Sequence, residues 1–174
     1  LPDRRQRSRL FVTNRKGSTM TQRLDFAQVA AEGMHALGGV SRYILHCGLA
    51  KSLVDLVYLR VSQINGCAYC IDAHSRDLIK EGVSIEKLVL VPVWREAGAA
   101  FTVQEQAALA WAETVTRVST TGVPDADYSA VAAHFSDKEL ADLTIAIGLM
   151  NAYNRMAISF RATPAAAKPN TATE

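Results

Sequence analysis

Between Lys51 and Ile64, apolar side chains fall on nearly every face of a helical projection: Leu53, Val54, Leu56, Val57, Leu59, Val61 and Ile64. A helix of that kind must be enclosed by other elements on most sides. One carboxylate, Asp55, sits inside the run. A buried carboxylate is costly unless it is paired or hydrogen-bonded, which makes Asp55 the residue of this helix to watch.

The enclosing elements also read as helices. Phe26, Val29, Ala30, Met34 and Leu37 recur at helical spacing from Asp25. Gly38-Gly39 is expected to stop that pattern, and a short helix is expected over residues 40–47, closed by Gly48. Ser84 offers an N-cap, Pro92 breaks or bends the helix that follows, and Pro124 can open a helix towards Phe135. Thr102 with Glu105 and Ser136 with Glu139 have the capping-box form, predicting helices to about Ser119 and Phe160. No strand alternation and no internal repeat stands out. The expected fold class is all-α, with seven or eight helices.

At 174 residues the chain is long enough for one domain with a proper core. Hydrophobic residues make up 49% and aromatics only 7%, which suits closely packed helices. Three cysteines do not make a disulfide scaffold, so a reducing, cytoplasmic setting is expected. No apolar run is long enough to cross a membrane. The net charge of +2 is unevenly placed. Residues 1–19 hold six basic residues and one acid, leaving 13 basic and 16 acidic residues in the body, or −3. That body offers no electrostatic case for nucleic acid. Residues 1–19 read as an extraneous, tag-like basic segment, 20–161 as the helical domain and 162–174 as a disordered tail.

The chemistry concentrates just after the apolar helix. Asn65-Gly66 is a turn dipeptide, and Cys67-Ala68-Tyr69-Cys70 with His74 follows it. A helix starting near Cys67 carries both thiols in its first turn, where unpaired N–H groups and the dipole favour thiolate. Spacings of three and four put Cys67, Cys70 and His74 on one face. A dithiol with a base one turn away is a redox or peroxide-reducing arrangement.

Residues 56–70, Leu-Val-Tyr-Leu-Arg-Val-Ser-Gln-Ile-Asn-Gly-Cys-Ala-Tyr-Cys, followed by His74, resemble the AhpD-type alkylhydroperoxidases of the carboxymuconolactone decarboxylase superfamily. Weaker similarity extends to residues 92–96, 108–113 and 151–155, so the resemblance spans about Arg23 to Arg161. It implies an oligomeric helical domain, a homodimer, trimer or hexamer, that reduces organic hydroperoxides. In that family the second cysteine, here Cys70, attacks the peroxide and the first, Cys67, closes the disulfide. His74 then accepts the thiol proton, and a dithiol or lipoyl-bearing protein restores the pair. The family usually places a glutamate twelve residues before the first cysteine; here that position is Asp55, one methylene shorter. The shorter side chain puts the relay's geometry in question, because such contacts are sensitive to about an ångström.

Other readings compete. Asp77, three residues after His74, offers a second carboxylate to orient it. Tyr58, Tyr69 and Trp94 are candidates for lining a substrate pocket, although core filling is the commoner fate of such aromatics. Cys67, Cys70 and His74 with Cys47 or His46 have ligand types acceptable to zinc, but a helix follows the pair at once where a zinc knuckle needs a tight loop. No metal and no cofactor is therefore expected, and no nucleotide or metalloprotease motif occurs. A general thiol–disulfide reductase, a lactone decarboxylase and a non-catalytic helical module complete the alternatives.

Overall fold

A computed structural model describes residues 21–167, all-α throughout. Residues 1–20 and 168–174 lie outside the described residues, and with them the expected basic segment and most of the expected tail. The α-helices are α1 (Phe26–Val29), α2 (Ala31–Leu45), α3 (Lys51–Asn65), α4 (Ala68–Lys80), α5 (Ile85–Leu90), α6 (Val103–Thr116), α7 (Val118–Thr121), α8 (Asp125–Ala132) and α9 (Asp137–Phe160). Short 3-10 segments occupy Val91–Glu96, Gly98–Ala100 and Ala165–Ala167.

The apolar run between Lys51 and Ile64 is the centre of the domain. Helix α3 packs against α4, α6 and α9, and eight of its residues are buried. Three apolar clusters use different faces of it. Leu53, Val57 and Val61 meet Cys67, Cys70, Trp111, Leu143, Ile147 and Met150. Leu56 and Leu59 meet Leu78, Val91, Trp94 and Leu109, while Val54 meets Ile44 and Ala146. A fully buried aliphatic side chain contributes about 1.5–3 kcal/mol, so α3 is held mainly by apolar burial.

Several boundaries follow directly from local chemistry. Thr102–Glu105 and Ser136–Glu139 form complete capping boxes at the starts of α6 and α9. The Ser84 side chain caps α5, and Pro92 falls in the first turn of the 3-10 segment that follows. Other boundaries depart from expectation. Gly38-Gly39 does not stop the N-terminal helix; α2 runs through it, since glycine costs only about 1 kcal/mol in a helix and can still take the helical conformation. The break falls instead at Ala30 (φ −116°, ψ 43°). Here α1 is tied to the end of α9 through Phe26–Phe160 ring contact and the Arg23 N–H donating to the Phe160 carbonyl, so it leaves the axis of α2. Helix α6 ends at Thr116, and Arg117 separates it from α7, which brings the described residues to nine α-helices. After α9, where the tail is expected to begin, Ala165–Ala167 forms a turn against α4, and the Ala166 N–H donates to Asp72.

Candidate active site

Gly66 builds the corner on which the cysteines sit. Its backbone is left-handed (φ 69°, ψ 33°), a conformation that disfavours any residue with a Cβ. Gly66 N–H donates to Gln63 O and Cys67 N–H to Ser62 O at 2.9 Å, which satisfies the last carbonyls of α3 and turns the chain into α4. The side chain of the preceding Asn65 is not spent on this turn. It reaches across to α9 and donates to Asn151 and Asn154 at 3.0 and 2.9 Å.

Cys67 is the N-cap of α4, and its Sγ accepts the Cys70 N–H at 3.4 Å. Both cysteines are buried, at 1% and 4% exposure, and both are free thiols. Interaction with the neighbouring Cys70, against the effect of burial, pulls the Cys67 pKa down to about 7. The same interaction, with burial, pushes Cys70 up. Both directions favour the first negative charge of the pair on Cys67. Cys70 is nonetheless the sulfur that faces open space.

That space is an apolar cavity of about 420 Å³ between α1–α2, α3, α4 and α9. Cys70 and His74 line it together with Phe26, Met34, Tyr58, Tyr69, Met150 and Tyr153. Tyr58 stacks obliquely on His74 with ring centroids 5.0 Å apart. Trp94 does not belong here. It is a core residue whose Nε1–H donates to Glu113 at 3.0 Å. A second cavity, of about 340 Å³, lies against Trp94, Trp111 and Arg95, and neither cysteine lines it.

Asp55 approaches His74 from α3. Its Oδ1 lies 3.1 Å from His74 Nδ1, so the shorter carboxylate makes the contact directly, without a bridging water. Its Oδ2 accepts from Lys51 at 2.6 Å, and Lys51 also pairs with Glu81 at the end of α4. Burial alone would raise the Asp55 pKa; the hydrogen bonds from His74 and Lys51 outweigh it and hold the carboxyl below its usual value. With Nδ1 engaged by Asp55, Nε2 is the ring nitrogen left for the cavity.

Asp77 is not the residue that holds His74; its Oδ1 accepts from Lys80 at 2.9 Å. Among the described residues, Asp55, His74 and Asp77 are the one group whose ligating atoms come within 4.8 Å of each other. The cysteine set considered for zinc is not gathered: Cys47 lies after α2, where its carbonyl accepts from Lys138.

Two buried polar residues facing each other from α3 and α9 escape the sequence reading. Ser62 and Asn154 are each 0% exposed, and the Asn154 amide donates to the Ser62 hydroxyl at 3.1 Å. The available signal was the same one that marks Asp55: a polar side chain on a helix otherwise filled with apolar residues.

Comparison with known proteins agrees with this architecture. The carboxymuconolactone decarboxylase family profile matches residues 30–114. Uncharacterized protein YdfG of Bacillus subtilis is 32% identical over 140 residues, covering 80% of this chain and 95% of that protein. A solved structure from Agrobacterium tumefaciens, of a protein of unknown function suggested to be an AhpD antioxidant defence protein, superposes with a TM-score of 0.80. It is 38% identical and covers 83% of this chain and 98% of that one. Alkyl hydroperoxide reductase AhpD of Coxiella burnetii is 51% identical, but over 41 residues only, 24% of this chain and 23% of that protein. The chain belongs to the carboxymuconolactone decarboxylase family, as an AhpD-like member of it.

Proposed function

We propose that the protein reduces organic hydroperoxides with the Cys67–Cys70 dithiol. The observation that supports this reading best is the division of labour between the sulfurs. Cys70 opens with His74 onto one apolar cavity, while Cys67 stands behind it at the helix N-cap.

His74, held by Asp55, accepts the Cys70 proton and frees the Cys70 thiolate. Its sulfur takes the outer oxygen of R–O–O–H as the O–O bond breaks, and His74 protonates the departing alkoxide to R–OH. Cys70 is now a sulfenic acid. Cys67 forms the S–S bond to it, and the Cys67 proton leaves with the sulfenic hydroxyl as water. Two thiols have lost two electrons and the peroxide has gained them. An external dithiol, such as a lipoyl group on a partner protein, returns the pair by exchange.

A reducing cytoplasm suits a cycle that rests as the dithiol; among the described residues no helix is long and apolar enough to cross a membrane. A homo-oligomer is part of the same proposal, since α2 buries only Ile44 in the single chain and exposes Tyr43 and Leu45. The test is a steady-state assay with cumene hydroperoxide and a panel of dithiol donors, with thiols counted before and after. Peroxide loss matched by donor oxidation is expected. Disulfide exchange with donors but no peroxide loss would make the protein a general thiol–disulfide reductase, and an unchanged thiol count would leave the helical module without this chemistry.

A further inference from the structure

Cys70 lines a cavity but is itself only 4% exposed, so whatever reacts with it must first pass the cavity's rim. Two surface grooves run up to that rim. One, of about 240 Å³, lies between α1 and the chain that leaves α9, with Asp25, Phe26, Ala162 and Thr163 in its walls. The other, of about 230 Å³, lies between α4 and Ala165, with Asp72, Arg76 and Lys80 in its walls. Phe26 is shared by the cavity and the first groove, and Ala73 by the cavity and the second. Tyr69 lines all three, so its ring stands where they meet.

The other aromatic side chains of the cavity are held in place. Phe26 rests against Phe160 with ring centroids 5.7 Å apart, Tyr58 lies on His74 at 5.0 Å, and the Tyr153 hydroxyl hydrogen-bonds to Ser41 at 3.2 Å. Tyr69 is 44% exposed, and among the described residues it has neither such a ring contact nor a hydroxyl partner. Its backbone, by contrast, is fixed. It lies in the first turn of α4, between the cap residue Cys67 and Cys70, whose N–H donates to the Cys67 sulfur. The ring can therefore change rotamer, as exposed side chains do within nanoseconds, without moving either sulfur.

We propose that Tyr69 is a specificity-determining residue of this site: its ring is the movable part of the rim and selects by size among the apolar molecules that approach Cys70. The inference rests on the peroxide-reducing reading for what passes, with aryl-bearing hydroperoxides held back more than compact ones. The barrier itself belongs to the fold. A cavity of about 420 Å³ falls within the range of small-molecule sites and has room for an organic body well beyond a hydroperoxy group. The limit on size is therefore set at the rim, not by the space behind it.

The experiment alkylates the full chain in a Cys47→Ser, Cys67→Ser background, which leaves Cys70 as its one thiol. Compact iodoacetamide and bulkier N-phenylmaleimide attack the same thiolate, so the ratio of their rates cancels any change in ionisation and reads access alone. Tyr69→Ala is expected to raise the maleimide-to-iodoacetamide ratio about tenfold. Tyr69→Phe keeps the ring and should keep the ratio of the background protein, while Tyr69→Trp should lower it. An unchanged ratio in Tyr69→Ala, or a Tyr69→Phe ratio that rises with it, would overturn the inference. If Tyr69→Ala does not fold, Tyr69→Trp decides the matter, and a ratio at or above that of the background protein counts against the rim. Because alkylation needs no peroxide, a protein that shows the expected ratios yet consumes no hydroperoxide would refute the proposed function and leave this inference standing.

Discussion

Asp55 and Glu113 are buried to the same depth, each 6% exposed, but their surroundings differ in kind. Glu113 is enclosed by permanent donors. Arg60 gives it two hydrogen bonds at 2.8 and 2.6 Å, Trp94 a third, and Arg95 an ion pair from the rim. Asp55 also has a permanent cation, Lys51, but its other oxygen holds a histidine, which can gain and lose a proton. That histidine lines the cavity that Cys70 faces. A carboxylate saturated by arginine is part of the scaffold. One that shares its charge between a lysine and an imidazole can support chemistry. Asp142, held by Tyr43 and Lys138, belongs with Glu113.

The largest contrast should come from removing a member of each assembly. Cys70→Ser is expected to abolish peroxide consumption while leaving the unfolding transition nearly in place. Glu113→Gln is expected to lower stability by about 3 kcal/mol, because it leaves half-buried Arg60 without its counter-charge, and to spare the chemistry in whatever fraction stays folded. Denaturant melts beside peroxide assays would separate the two. An active-site defect in Glu113→Gln at full stability would break the comparison.

Asp55→Asn comes next. Loss of the charge behind His74 is expected to slow turnover about a hundredfold at neutral pH, within the usual range for an acid–base group. Cys67→Ser should stop after one event, with the sulfenic acid at Cys70 open to trapping by dimedone.

How far all this could be read beforehand differs along the chain. The enclosed helix, both capping boxes and the cysteine corner were legible because each depends on neighbours a few residues away. Gly38-Gly39 misled because a glycine pair signals a stop only when nothing else holds the helix, and the real break at Ala30 depends on Phe160, far along the chain. Asp55 could be singled out by its apolar surroundings, but its 3.1 Å contact with His74 depends on how α3 and α4 cross. The assignment of charge within the dithiol was beyond reach for the same reason. It turns on Cys67 being the cap itself, with Cys70 donating to it, a distinction of one residue in where α4 begins.

Smaller effects sharpen the contrast through pH. Glu113 is held below its ordinary value of 4.5: burial opposes this, and the hydrogen bonds from Arg95, Trp94 and Arg60 outweigh it. A lowered folded-state pKa gives stability that is full above about pH 4.5 and lost as pH falls further, so acid unfolding should be flatter in Glu113→Gln. Asp55→Glu is expected to change turnover least, by about threefold or less, since the aspartate already reaches His74 and a longer side chain must find room in a packed site.

The central claim is that one sulfur of the pair ionises early because the other donates to it at the start of a helix. Ultraviolet thiolate absorbance of the reduced protein in a Cys47→Ser background, with Cys67→Ser and Cys70→Ala variants alongside, reads this directly. The expected result is one thiolate forming at about pH 7 in the parent and losing that early midpoint when either partner is replaced. Two thiols titrating together near the ordinary cysteine value of 9.0 would contradict it.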